Sequence, residues 1–142
     1  MLRIAMIAAV VLLSVSPALA NESESAPPPP RRGPQEAPAQ VISTPRGTML
    51  VDLKGMTLYY FDRDDTGNKS NCDAACTRRW TPLSASADAQ AYGDFTIIMR
   101  NDGSRMWAYR YRPLYTSQQD KSPGETNGAD ASTQWHVARP AY

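Results

Sequence analysis

LYYFDRDDTGNKSNCDAACTRRW, from Leu58 to Trp80, begins as an aromatic run, passes through an acidic polar segment around Gly67, and ends with two closely spaced cysteines. Large rings suit a pleated, half-buried surface, so Met56–Phe61, bounded by Gly55 and Asp62, is expected to be a strand. The Asp, Thr, Gly, Asn and Ser that follow supply turn geometry and side-chain acceptors for local amides. A strand feeding a polar loop points to a mainly β domain.

Other runs outward from this stretch share its character. MLVDL (49–53), FTIIMR (95–100), RMWAYRY (105–111), PLYTS (113–117) and the shorter QWHVA (134–138) are β-branched or aromatic and bounded by Gly, Asn, Asp or Pro. Tight connections are expected at Lys54-Gly55 and Arg112-Pro113. One short helix is expected over Cys72–Trp80, with Ser70 or Asn71 as N-cap, Asp73 in its first turn, Arg78-Arg79 in its last and Pro82 beyond.

Displacing the chain by 56 residues pairs Gly47 with Gly103, Leu58-Tyr59 with Leu114-Tyr115, and Asp64 with Asp120. The same gapless register sets Val51 and Leu53 against Trp107 and Tyr109, every second residue, as equivalent core positions of two hairpins would be. The expected fold is therefore mainly β, a small α+β domain of two related β-hairpins with Asp/Gly loops and one short helix. It spans 41–142, which holds every aromatic residue and both cysteines.

Residues 1–20 carry Arg3, an apolar stretch and Ala18-Leu19-Ala20, the pattern of a signal peptide cleaved at Ala20-Asn21. Residues 21–40 are proline-dense and lack large apolar side chains, which predicts a disordered linker. No later stretch approaches the roughly 18 apolar residues of a membrane span. No cysteine follows the cleavage site to accept a lipid anchor. The expectation is an exported protein, periplasmic or secreted. Its fifteen basic residues, less Arg3, balance fourteen acidic ones, so charge gives no reason to expect nucleic acid as a partner.

The opening stretch offers three chemistries. Counted from Asp62, oxygen-bearing Asp62, Asp64, Thr66, Asn68, Ser70 and Asp73 fall at the spacing of a calcium loop, with Gly67 at its sharp turn. Lys69 at the usually apolar position and the short Asp73 at the last one depart from that pattern, and an Asp-rich turn capping its own amides is the competing expectation. Cys72 and Cys76 lie about 6 Å apart if helical, within reach of a disulfide, and an exported chain favours that bridge. With His136, the only histidine, the same cysteines would form a copper or redox site. His136 has no nucleophile motif or paired carboxylate to work with, so no enzyme is expected. The aromatic residues of RMWAYRYRPLY are expected to line a core rather than a stacking platform.

Tyr59-Tyr60-Phe61-Asp62-Arg63-Asp64 fits Yx(FWY)xxD. Together with SNCDAACTRRWTPL, NDGSRMWAYRYRPLYTSQQDKSPGETNG and QWHVARP it resembles the exported bacterial family of predicted lipoproteins with that motif, the secreted repeat of unknown function. The resemblance implies an envelope protein without an assigned activity, and it makes Tyr59, Phe61, Asp64, Leu114, Tyr115 and Asp120 the motif positions. The chain departs from the lipoprotein label, since Ala20-Asn21 is no lipobox. The functional expectation is a non-catalytic domain binding an envelope protein or small ligand, without a cofactor. The alternative is metal handling, calcium or copper, or redox chemistry.

Overall fold

The Leu58–Phe61 run is a strand, and what it pairs with sets the architecture. A computed structural model describes residues 37–64, 69–130 and 133–140. The expected signal peptide, nearly all of the linker, and Thr66 and Asn68 of the calcium loop lie outside the described residues. In chain order the elements are β1 (Gln40–Thr44), β2 (Gly47–Val51), β3 (Leu58–Phe61), β4 (Trp80–Pro82), β5 (Phe95–Met99), β6 (Arg105–Tyr109), β7 (Arg112–Pro113), β8 (Tyr115–Ser117), α1 (Asn127–Asp130) and β9 (Trp135–Val137). The fold is mainly β, as expected.

The central sheet is antiparallel in the order β4-β8-β3-β9. β3 and β8 occupy its middle, and Tyr59 stands directly opposite Tyr115. These residues are equivalent in the 56-residue repeat, so a pseudo-twofold axis passes between them. Moving outward, Phe61 pairs with Trp135 on one side, and Ser117 pairs with Trp80 on the other. Each copy thus lays its last strand against the central strand of the other copy.

Alternation along β3 and β8 then divides the core by face. Tyr59 and Tyr115 join Cys72, Trp80, Ile98, Met106, Ala108 and Trp135 in one cluster. Leu58 and Leu114 join Ala39, Leu50, Phe95, Trp107 and Ala138 in the other. All four central side chains are fully buried, each contributing roughly 1.5–3 kcal/mol by transfer from water. Burial on both faces explains why LYYF reads as a continuous apolar run rather than an alternating one.

The hairpins flank this sheet. β1 pairs with β2, and β5-β6-β7 forms a three-stranded sheet. Leu50 donates its amide to the Ala138 carbonyl and Trp107 donates to that of Leu83, both at 2.8 Å. Those bonds make Leu50 equivalent to Trp107 and Val51 to Ala108, one residue off the gapless register. The reason is loop length: Pro45-Arg46 joins β1 to β2, whereas Arg100 to Ser104 joins β5 to β6. Leu53 consequently lies in a turn, 54 % exposed, and is not a core position.

Three further expectations are corrected. The helix over Cys72–Trp80 is only a 3₁₀ turn at Cys76–Arg78, because Trp80 and Pro82 are drawn into β4 and the Cys72 carbonyl is taken by the Arg100 guanidinium. The tight connection expected at Arg112-Pro113 is at Arg110-Tyr111, and Arg112-Pro113 pairs as β7. Gln40 already pairs with Val51 and Ala39 is buried, so the end of the Pro-rich segment belongs to the packed body.

Candidate functional site

Tyr59 donates its hydroxyl proton to Asp120 Oδ2 at 2.7 Å, and Tyr115 donates to Asp64 Oδ2 at 2.8 Å. The motif tyrosine of each copy is therefore bonded to the motif aspartate of the other. Asp64 also accepts the Asn71 amide at 2.7 Å, which ties Asn71 back to the end of β3. Burial pushes both carboxyls above their ordinary range, partly offset at Asp64 by the Asn71 amide and Tyr115, and at Asp120 by Tyr59 and the amides of Gly128 and Asn127. The Tyr115 hydroxyl is likewise raised, chiefly by burial, and remains a donor at neutral pH.

The rings complete the same symmetry. Trp80 and Trp135 stack at 3.8 Å between centroids and 5° between planes, while Tyr59 meets Trp80 edge-on and Tyr115 meets Trp135 edge-on. Phe61 extends the stack on Trp135 at 4.4 Å. Aromatic pairs in these geometries contribute about 0.5–1.5 kcal/mol beyond the area they bury. The motif residues thus hold the two copies together.

The Asp-rich loop and the cysteines sit beside this centre. Cys72 and Cys76 form a disulfide, with Cα atoms 5.1 Å apart. Both sulfurs are consumed by that bond, and neither is a thiolate available to copper. Asp73 Oδ1 accepts the Ala75 and Cys76 amides at 3.0 Å, holding the turn between the cysteines. Ser70 Oγ lies 2.7 Å from the Tyr115 hydroxyl and accepts from Arg100 Nη1 at 2.8 Å. Arg100, 8 % exposed, also donates to the Cys72 carbonyl at 2.7 Å. It is a residue that sequence reading missed, because an arginine at the end of the FTIIMR run, next to Asn101-Asp102, carries no signal of burial.

Asp62 and His136, members of two different candidate metal sets, bond to each other instead, with His136 Nε2 2.8 Å from Asp62 Oδ2. Their backbones are brought together because Tyr60 pairs with His136 across β3 and β9. Among the described residues, then, Asp62, Asp64, Ser70 and Asp73 are each engaged with internal partners, and no group of three His, Cys, Asp or Glu converges as a metal site. Replacing Cys72 with serine is expected to lower stability by about 2 kcal/mol, the chain-entropy contribution of so short a loop. Denaturant unfolding with and without reductant checks this, and a change below about 0.5 kcal/mol would show the clasp to be structurally idle.

A further feature lies beside the Arg110-Tyr111 turn. A cleft of about 240 Å³ is lined by Tyr60, Tyr109, Leu114, Val137 and Ala138, with Arg110, Arg112 and Arg139 around it. Arg112 lies over the Tyr60 ring at 4.4 Å, and Arg139 donates to the Thr48 carbonyl at 2.7 Å. Arg110 pairs with Asp94 at 3.2 Å. Its rim is the two-residue turn Arg110-Tyr111, whose φ values are 47° and 66°. Such a turn ordinarily takes Asn-Gly, since a Cβ in the left-handed region is strained by roughly 1–2 kcal/mol per residue. The corresponding turn of copy one uses Gly55 at φ 82°, with Asp52 Oδ1 accepting the Lys54 and Met56 amides, and carries no such strain.

The aromatic strand itself is not the platform. Trp107 is 7 % exposed and belongs to the core, whereas Tyr111, expected to line the core as well, stands out at the turn, 57 % exposed. Sequence reading missed the cleft because its arginines come from two strand ends and a turn without a turn signature. Two segments, residues 40–84 and 96–139, match the family described as secreted repeat of unknown function. Their starts are 56 residues apart, the displacement that relates the two copies. No curated protein and no solved structure matches the chain. No helix among the described residues is long and apolar enough to cross a membrane.

Proposed function

We propose, from the premise that the chain belongs to the family of secreted repeats of unknown function, that it is a non-catalytic binding protein of the bacterial envelope, periplasmic or secreted. The cleft at the Arg110-Tyr111 turn is its binding site. One observation carries this reading: two consecutive non-glycine residues are held in the left-handed region beside an arginine-rimmed apolar cleft. Folding alone would favour Asn-Gly there. Strain that the fold does not need is a mark of residues retained for what they contact.

Comparison of the copies supports the same assignment. Features shared across the pseudo-twofold axis, the Tyr–Asp bonds and the Trp pair, serve packing. The clasp belongs to one half and the strained Arg110-Tyr111 turn to the other, and the cleft beside that turn presents exposed charge over an apolar floor.

Substituting Arg110-Tyr111 with Asn-Gly is expected to stabilise the domain by about 1–2 kcal/mol through relief of strain. A thermal-shift screen over small acids, envelope glycans and divalent cations, run on both proteins, is expected to show compounds that raise the melting temperature of the natural chain alone. If no compound separates the two proteins, or if Asn-Gly brings no stabilisation, the reading fails.

A further inference from the structure

The arginines of the cleft differ in what they already satisfy. Arg110 has Asp94 as its counter-charge. Among the described residues, neither Arg112 nor Arg139 is paired with a carboxylate. Arg139 is nonetheless fixed in place. Nη1 binds the Thr48 carbonyl at 2.7 Å and lies where a Cβ on Gly47 would come within 3.0 Å. Arg112 is fixed by its stacking on Tyr60. Both guanidinium groups line the same cleft with donors to spare, and guanidinium forks suit a planar oxyanion, which they grip through paired N–H bonds.

The rest of the lining is largely apolar, formed by Leu114, Val137 and Ala138 with the Tyr60 and Tyr109 rings. A bare anion would leave that surface facing water, and a neutral apolar compound would leave the guanidinium forks unused. The volume, about 240 Å³, lies just below the usual range for drug-sized ligands, roughly 300–1,000 Å³. It suits a body of one ring or a short chain. We infer that the cleft takes a small amphiphilic carboxylate, its acid group between Arg112 and Arg139 and its ring or short chain on the Leu114–Val137–Ala138 floor.

This inference rests on the cleft being the binding site and adds the class of ligand. Calorimetric titration of the exported chain at low salt with benzoate, benzyl alcohol, acetate and inorganic phosphate tests it. Benzoate is expected to bind with a dissociation constant on the order of 1 mM, as a ligand of that size allows. The other three are expected to bind at least ten-fold more weakly. Arg112→Ala and Arg139→Ala are each expected to weaken benzoate about ten-fold, and Arg112→Lys to restore little, since an ammonium retains the charge but not the fork. Unchanged melting of Arg112→Lys controls for folding.

Benzyl alcohol binding as tightly as benzoate would overturn the carboxylate and leave an apolar binding site. Acetate or phosphate binding as tightly would overturn the apolar body and leave an anion site. No benzoate binding would overturn the ligand class. The binding role itself is judged separately, by whether any compound in the thermal-shift screen distinguishes the natural turn from Asn-Gly.

Discussion

Replacing Trp135 with alanine is expected to lower the free energy of unfolding by about 3–5 kcal/mol, the range for deleting a large buried ring. Trp135 is 5 % exposed and touches three aromatic rings of the core at once, Trp80 face to face, Phe61 stacked and Tyr115 edge-on, while its backbone pairs with β3. A domain of this size has only about 5–15 kcal/mol to lose. Trp80→Ala is expected to cost a similar amount, and the double variant less than the sum, since the two rings share one contact. Denaturant unfolding measures all three. A loss under about 1 kcal/mol in both single variants would mean that the stack does not hold the copies together.

The Tyr–Asp exchange gives the second large effect, and its pH dependence has an unusual sign. Tyr59→Phe strips the donor from the buried Asp120 carboxylate, which is expected to cost about 1–3 kcal/mol. Tyr115→Phe does the same at Asp64 and also leaves Ser70 with one partner fewer. Both carboxyls titrate above the ordinary value of 3.8 because burial opposes their charge. In the window between that value and the raised one, the folded chain holds more protons than the unfolded chain. Stability from these two groups is therefore full below the ordinary value and is lost as pH rises through the raised one. Mild acidification should raise the melting temperature through these groups, the reverse of a salt-bridged aspartate. Asp120→Asn keeps an acceptor for Tyr59, should stay within about 1 kcal/mol of the natural chain at neutral pH, and should flatten that slope. An unchanged slope in Asp120→Asn would remove Asp120 from the account.

The repeat was legible because its frame, Leu-Tyr followed by Asp, sits where side chains have one permitted role. Tyr59 and Tyr115 must face each other across the axis, and Asp64 and Asp120 must receive their hydroxyls, so neither pair tolerates drift. The hairpins drifted by one residue, since an outer loop can lengthen wherever the adjoining turn shortens. The helix was misjudged for a related reason. Its local signals, Asp73 early and Arg78-Arg79 late, are sound for an isolated segment, yet pairing with β8 claims Trp80, and Arg100 claims the Cys72 carbonyl. Of the candidate sites, the clasp was legible from spacing and compartment. The cleft was not, because its lining is drawn from β3, β6, β7 and the end of β9, which lie in two different sheets, and Arg110-Tyr111 has the composition of a strand.

A pseudo-twofold axis between Tyr59 and Tyr115 makes the domain equivalent to a dimer written on one chain. In a true homodimer every substitution is made twice, and a change that helps one side of the axis is imposed on the other. Tandem linkage removes that constraint. One half can acquire a cysteine bridge and the other a strained arginine-tyrosine turn without either copying its novelty across the axis, provided the exchanged Tyr–Asp bonds and the paired tryptophans persist. The interior is obliged to remain symmetric, and the two surfaces are free to specialise.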